Sequence, residues 1–184
     1  MYTTIGYHGT DYSVANKIIE DGFRCKPNNE HWLGNGIYLY PDFDLAKWWT
    51  TRPTKKHGMT IETPTIIECH IEVEEDKVLN LCSLKGYKNY VEMYNEFFKE
   101  FTHRADTTIT PTFKQLRCAF FNYIFMNNDF YIVIAPFILP DQPYMPHYFD
   151  DTYANEMHIM YPEIQICISE TMQTIIKDKK IHKL

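Results

Sequence analysis

Thr4-Ile5-Gly6-Tyr7-His8-Gly9-Thr10 decides how this chain is read. The first four residues have the composition of a short strand, which places His8-Gly9-Thr10 at its end. A glycine there lets a ligand approach the backbone, whose N–H and C=O then suit a planar carboxamide held edge-on. His8 can hydrogen-bond a sugar hydroxyl through either ring nitrogen, and Thr10 adds a hydroxyl. The tripeptide alone is equally what an ordinary hydrogen-bonded turn looks like. Its weight comes from its surroundings.

Outward from it, Asp11 is a cap for a helix with Val14, Ile18 and Ile19 as its apolar face and Gly22 as its stop. A polar loop, Lys26 to Glu30, leads to Trp32-Leu33-Gly34-Asn35-Gly36-Ile37-Tyr38-Leu39-Tyr40. Two glycines one residue apart before an aromatic strand imply a tight turn presenting that strand, with Tyr38 able to stack on a flat heterocycle. No third glycine or helix follows, so this is not a dinucleotide-binding glycine loop. Tyr40 shares the face of Tyr38, since strand side chains alternate, and is read as packing. Asp42 caps a second helix expected to carry Leu45, Trp48 and Trp49 inward, Thr65 to Val73 alternates as a half-buried strand, and Val78 to Leu81 is another.

Farther on, Tyr90, Tyr94, Phe97, Phe98 and Phe101 fall at helical spacing, as do Phe113, Leu116, Phe120, Phe121 and Ile124. Such stripes serve as base-stacking platforms in some proteins, but at this period they more commonly face a core. Tyr131 to Ala135 reads as a buried strand, Met157 to Met160 and Ile164 to Ile168 as two more, with a last short segment near Ile175-Ile176. Strands at both ends with helices between them predict an α+β fold. The chain has 184 residues and no compositional break, so one domain spanning 1–184 is expected. Aromatic residues make up 16% and supply large buried areas.

Charge and cysteine usage narrow the function classes. A net charge of −6 argues against a general electrostatic grip on nucleic acid or anionic membrane. The cysteines (Cys25, Cys69, Cys82, Cys118, Cys167) are odd in number and scattered, which suits reduced thiols rather than a disulfide framework or zinc knuckle. The opening residues carry neither a basic region nor an apolar run, and Tyr131 to Phe137 is too short to span a bilayer, so a cytoplasmic location is expected. His70, His103, His147 and His158 have no metal-ligand spacing, and no nucleophile elbow or Walker loop occurs. No metal is expected. Glu72 to Asp76 reads as a solvated strand end, and Arg52, Lys55, Lys56 and His57 as a basic loop with a phosphate-attracting role as the alternative.

His8-Gly9-Thr10, a helix of fitting length, Gly22-Phe23-Arg24 and then Gly34-Asn35-Gly36-Ile37-Tyr38 together resemble the NAD-binding half of ADP-ribosyltransferases. The branch is the one shared by poly(ADP-ribose) polymerase catalytic domains and their small bacterial relatives. Asp44-Leu45-Ala46-Lys47-Trp48-Trp49 resembles the helix that follows in bacterial members. The resemblance is specific over residues 4–52, looser at the C-terminus and absent from 83 to 130. It implies an ADP-ribosyltransferase-like split, mostly antiparallel sheet with flanking helices and a central NAD cleft.

Carried over by position, the resemblance implies that His8 holds the ribose of the nicotinamide half. Gly9 clamps the carboxamide, Thr10 supports that grip and Tyr38 stacks on the nicotinamide ring. Arg24 would reach the adenosine or pyrophosphate side, a solvent-exposed helix-end role being its alternative. Where the polymerases have a tyrosine, three residues before the first turn glycine, this chain has His31, which either lines the pocket or faces solvent. Cleaving the nicotinamide–ribose bond passes through an oxocarbenium-like state, which a carboxylate bonded to the ribose 2′-hydroxyl stabilises. Family members carry that glutamate at the start of a late strand. Glu163, opening Glu163-Ile164-Gln165-Ile166-Cys167-Ile168, is the first candidate and Glu156 the second. Gln165 shares the face of Glu163.

The expected activity is mono-ADP-ribosyl transfer from NAD, as substrate, to a macromolecular acceptor, protein or nucleic acid, with nicotinamide released. By analogy with small bacterial members, the setting is a toxin or anti-phage effector with an antitoxin or regulatory partner. The competing readings are a NAD glycohydrolase, an RNA 2′-phosphotransferase, against which the acidic charge counts, and a non-catalytic NAD or ADP-ribose-binding module.

Overall fold

The computed structural model describes residues 1–51, 61–104, 111–127, 129–137 and 162–184. Strand β1 (Tyr2–Asp11) pairs antiparallel with β3 (Pro64–Val73) over ten residues, from Tyr2 opposite Val73 to Asp11 opposite Pro64. Strand β7 (Ile176–Lys183) takes the other edge of β3, giving a three-stranded sheet in the order β1-β3-β7. Strand β2 (Gly36–Leu39) belongs to a second sheet with β4 (Val78–Asn80), β5 (Ile132–Phe137) and β6 (Glu163–Ser169), in the order β2-β6-β5-β4. The β4–β5 pair is parallel and the other strand pairs are antiparallel. Helices α1 (Tyr12–Asp21) and α2 (Phe43–Thr51) lie between β1 and β3 in the chain, and α3 (Leu84–Arg104) and α4 (Phe113–Met126) between β4 and β5. The fold is α+β, with two sheets and flanking helices.

Two strands run longer than their sequences predict. Continuous pairing with β3 carries β1 through the glycine, so His8-Gly9-Thr10 lies inside the strand rather than at its end. Strand β7 has eight residues, Lys177, Asp178, Lys179 and Lys180 among them. A charged edge strand hides its β character because it presents few apolar side chains to read. The expected strand Met157 to Met160 lies outside the described residues.

The helix caps act as their sequences require. The Asp11 carboxylate accepts the Ser13 N–H at 2.9 Å, Gly22 ends α1 at φ 86°, and Asp42 accepts the Leu45 N–H at 2.9 Å. The buried faces differ from expectation. Helix α1 buries Ala15 and Ile18, while Val14 and Ile19 are each 39% exposed. Helix α2 buries Leu45, Ala46 and Thr50, leaving Trp48 and Trp49 half-buried. The reason lies in β1: Gly9 has no side chain, and a Cβ there would collide with the Thr50 hydroxyl and stand 3.0 Å from the Ala46 carbonyl. Helix and strand meet through their smallest residues, and the tryptophans turn to the flanks.

Strand β5 shows how the core is layered. Ile132 and Ile134 join Ile37, Leu39, Ile67, Ile71, Ile166 and Ile168 in a core between the two sheets. Val133 and Ala135 point the other way and meet Phe120, Phe121, Ile124 and Phe125 of α4. Burial on both faces explains a continuous apolar run in place of alternation. Tyr90, Tyr94 and Phe97 of α3 pack on the same helix-side core, so this part of the aromatic stripes faces inward. Phe98 and Phe113 are exposed.

The sheets meet edge to edge at one residue pair among the described residues. Tyr7 N–H donates to the Tyr40 carbonyl at 2.7 Å and Tyr40 N–H to the Tyr7 carbonyl at 2.8 Å. On the Gly9 side of that antiparallel pair β2 runs along β6 and not along β1, and the edge of β1 is left open there.

Because Gly9 is required by the contact with Thr50, Gly9→Ala is expected to lower stability by ~1–3 kcal/mol. Thr50→Ala in the same chain should recover part of the loss. Urea midpoints of the wild type, both single variants and the double variant check this.

Candidate active site

A cavity of about 330 Å³ opens where the sheets separate, within the range that holds small ligands. Strand β1 contributes His8 and Gly9, the turn before β2 contributes His31 and Trp32, β2 and its extension contribute Tyr38 and Tyr40, α2 contributes Trp49, and β6 contributes Glu163 and Gln165. A second cavity of about 370 Å³ shares His8, Gly9 and Trp49 and adds Thr10, Asp11, Ser13 and Val14. The cleft therefore has two chambers, on either side of His8-Gly9.

The backbone of Gly9 follows from strand geometry. In an antiparallel ladder the N–H and C=O of one residue point to the same edge, and successive residues alternate. Tyr7 turns both groups toward Tyr40. Gly9, two residues on, turns its donor and acceptor to that same edge, opposite Tyr38, where β2 follows β6 instead of β1, the Tyr38 carbonyl is bonded to the His8 imidazole, and the cavity begins.

His8 is positioned by β2. Its Nδ1 lies 2.9 Å from the Tyr38 carbonyl, and its ring stands edge-on to Phe23 at 5.2 Å. A carbonyl only accepts, so Nδ1 carries the proton. Burial holds the imidazole below its ordinary value against the smaller opposing effect of that hydrogen bond, which leaves the ring neutral and Nε2 an acceptor. Thr10, two residues after His8, is buried on the second chamber. Asp11 is committed to structure: Ser13, Glu62 and Thr63 donate to it, the Thr63 N–H foremost in holding its carboxyl at about 2.

Tyr38 offers its ring and not its hydroxyl. The phenol accepts the Leu33 N–H and donates to the Gly34 carbonyl, both at 2.8 Å, and burial raises its pKa well above the ordinary value. This locks the ring onto the turn. Gly34 itself requires glycine, since it sits at φ 79°, and Asn122 of α4 accepts the Asn35 N–H at 2.7 Å.

Glu163 opens β6 and is 3% exposed, with its carboxylate on the cavity. Tyr40 O–H donates to its Oε1 at 2.9 Å and Gln165 Nε2 donates to the same oxygen at 2.6 Å. A buried carboxylate is costly without such donors. Tyr40 is thus more than packing, a role hidden by 123 residues of sequence separation. Glu156 lies outside the described residues, as do the basic residues from Arg52 to His57.

The remaining expectations divide. His31 lines the cavity, 6.0 Å from the Tyr38 ring, and its Nδ1 is enclosed without a hydrogen-bond partner among the described residues. Trp49, expected in the core, is a cavity wall instead. Trp32, also on the cavity, is 41% exposed and carries the Arg117 guanidinium 5.5 Å over its ring. Arg24 is not brought to the cleft: its side chain is 81% exposed and paired with Asp21 at 3.1 Å, and it lines neither chamber. The five cysteines carry no disulfide, and burial pushes Cys25 and Cys69 up to about 12 and Cys167, behind Tyr38, well above the ordinary value. Those three thiols are poor nucleophiles. Among the described residues no group of His, Cys, Asp and Glu is arranged to hold a metal ion, and no helix is long and apolar enough to cross a membrane.

No known family model matches the chain. It is similar to an uncharacterized protein of Methanocaldococcus jannaschii, 28% identical over 180 residues, with 88% of this chain and 80% of the relative covered.

The His8 environment sets a pH dependence. Its folded-state pKa lies below the unfolded value of 6.5, so the unfolded chain binds more protons once the pH falls through that value. Its contribution to stability is complete above 6.5 and is lost as the pH drops toward the folded-state value. Urea midpoints at about pH 7.5 and about pH 5.5 should fall more steeply for the wild type than for His8→Gln.

Proposed function

We propose that the cleft binds NAD and that the protein transfers ADP-ribose from it to a macromolecular acceptor, protein or nucleic acid, releasing nicotinamide. The observation that carries this reading is the convergence on one cavity of an open backbone donor–acceptor pair, a neutral histidine, a fixed aromatic ring and a buried carboxylate. A carboxamide has one donor edge and one acceptor edge, matching the N–H and C=O of Gly9. Tyr38 and Trp49 supply aromatic surface for a flat pyridinium ring. Nε2 of His8 accepts a hydroxyl of the adjoining ribose. The second chamber has room for the rest of the dinucleotide, and Thr10 and Ser13 bring hydroxyls to it. Arg24 has no part in this assignment.

In the reaction, the bond between ribose C1′ and the pyridinium nitrogen breaks, and nicotinamide leaves as a neutral molecule with the bonding electron pair. Positive charge develops on C1′ and its ring oxygen. Glu163 supports that charge electrostatically and holds the 2′-hydroxyl through the carboxylate oxygen that Tyr40 and Gln165 do not occupy. The acceptor nucleophile then bonds to C1′ and gives its proton to Glu163 or to water.

Incubation with labelled NAD and a cell lysate, following label transfer and free nicotinamide, tests the reading. Glu163→Gln is expected to reduce both by ~100-fold or more while NAD affinity stays within a few-fold. Sensitivity of the label to protease or nuclease names the acceptor class. Nicotinamide release without transfer in the wild type would replace transferase with glycohydrolase. A wild type that binds no NAD, or a Glu163→Gln variant as active as the wild type, would overturn the proposal.

A further inference from the structure

We infer that Tyr40 is a positioning residue for catalysis, acting through Glu163; the inference rests on the reaction proposed above. Tyr40 is the residue whose backbone joins the two sheets, exchanging hydrogen bonds of 2.7 and 2.8 Å with Tyr7. Its Cα is therefore fixed at the point where the cleft begins. From there its phenol spans to the four-stranded sheet's other contribution, donating to Glu163 Oε1 at 2.9 Å. Gln165, on the same face of β6 as Glu163, donates to that oxygen at 2.6 Å.

Two donors on one oxygen define the orientation of a carboxylate. With Oε1 held, rotation about the last side-chain bond is arrested and Oε2 becomes the oxygen presented to substrate. A phenol suits this task because it is neutral and supplies one directed O–H, so it orients the carboxylate without cancelling its charge. A lysine or arginine there would pair with the charge that must face the developing cation. Tyr40 also lines the cavity, so its effect is transmitted at the site itself and not through a distant change of packing.

The test is a double-mutant cycle of Tyr40→Phe and Glu163→Gln, read as nicotinamide release from NAD. Phenylalanine keeps the ring and the backbone pairing with Tyr7 and removes only the O–H. Tyr40→Phe is expected to lower kcat about 10- to 100-fold, the range for a hydrogen bond to a charged group. KM for NAD should stay within about threefold. In the Glu163→Gln background Tyr40→Phe should have little further effect, because the charged oxygen it orients is gone. A purely structural role would multiply through the cycle, and that result overturns the inference, as does a Tyr40→Phe kcat within twofold of wild type. If Tyr40→Phe does not fold, Gln165→Met removes the other donor and must show the same loss confined to kcat; an unchanged kcat there also overturns it. A wild type without NAD turnover removes the underlying reading and the inference with it, and is distinguished by needing no variant.

Discussion

Two hydrogen bonds between Tyr7 and Tyr40 join the two sheets, and every part of the cleft is measured from that point. Each such bond is worth only about 1 kcal/mol net, so the pair does not hold the molecule together. That task belongs to the isoleucine-rich core between the sheets, where each buried side chain contributes ~1.5–3 kcal/mol. The pair fixes register. It is possible because Gly6 lets β2 come close: a Cβ on Gly6 would stand 2.8 Å from Leu39 Cδ1.

From that register the site follows by alternation. One antiparallel residue pair brings the strands together, and on its Gly9 side β2 follows β6 instead of β1, so the next outward-facing residue of β1, Gly9, has its donor and acceptor turned to an opening. His8 between them faces the opposite way in the ladder and is tied by Nδ1 to the Tyr38 carbonyl. Glu163 arrives from the first residue of β6, opposite Phe137, and must find donors to be buried at all. It finds them in Tyr40, from the junction, and Gln165, from its own strand. Backbone groups at the open edge and a clamped carboxylate thus share one wall-to-wall cavity, and both trace to the point where the sheets part.

Much of this was legible in the sequence. Capping by Asp11 and Asp42, the stop at Gly22 and the turn before Tyr38 are local, and local chemistry determined them. Glu163 was legible as a position because the alternation of Ile164, Ile166 and Ile168 fixes which residues of its strand share a face. What escaped reading was set by contacts between distant residues. Tyr40 has the alternation of a packing residue, and only its meeting with Glu163 gives it another role. Trp49 has the spacing of a core residue, but the contact of Gly9 with Thr50 turns α2 so that the indole reaches the cavity. Arg24 is carried outward beyond the C-terminal cap of α1, where Asp21 pairs with it. Strand β7 was legible only at its start because its charged residues mask the ladder it forms.

If the proposed NAD site holds, the Gly9 backbone edge receives a carboxamide. Titration of nicotinamide into uniformly ¹⁵N-labelled protein, followed by amide resonances, tests it without recourse to turnover. The Gly9 amide is expected to move downfield with nicotinamide, saturably, and nicotinic acid, whose carboxylate has no N–H to offer the Gly9 carbonyl, to bind far more weakly. A saturating nicotinamide titration that leaves the Gly9 resonance in place, or equal binding of the two ligands, would contradict it.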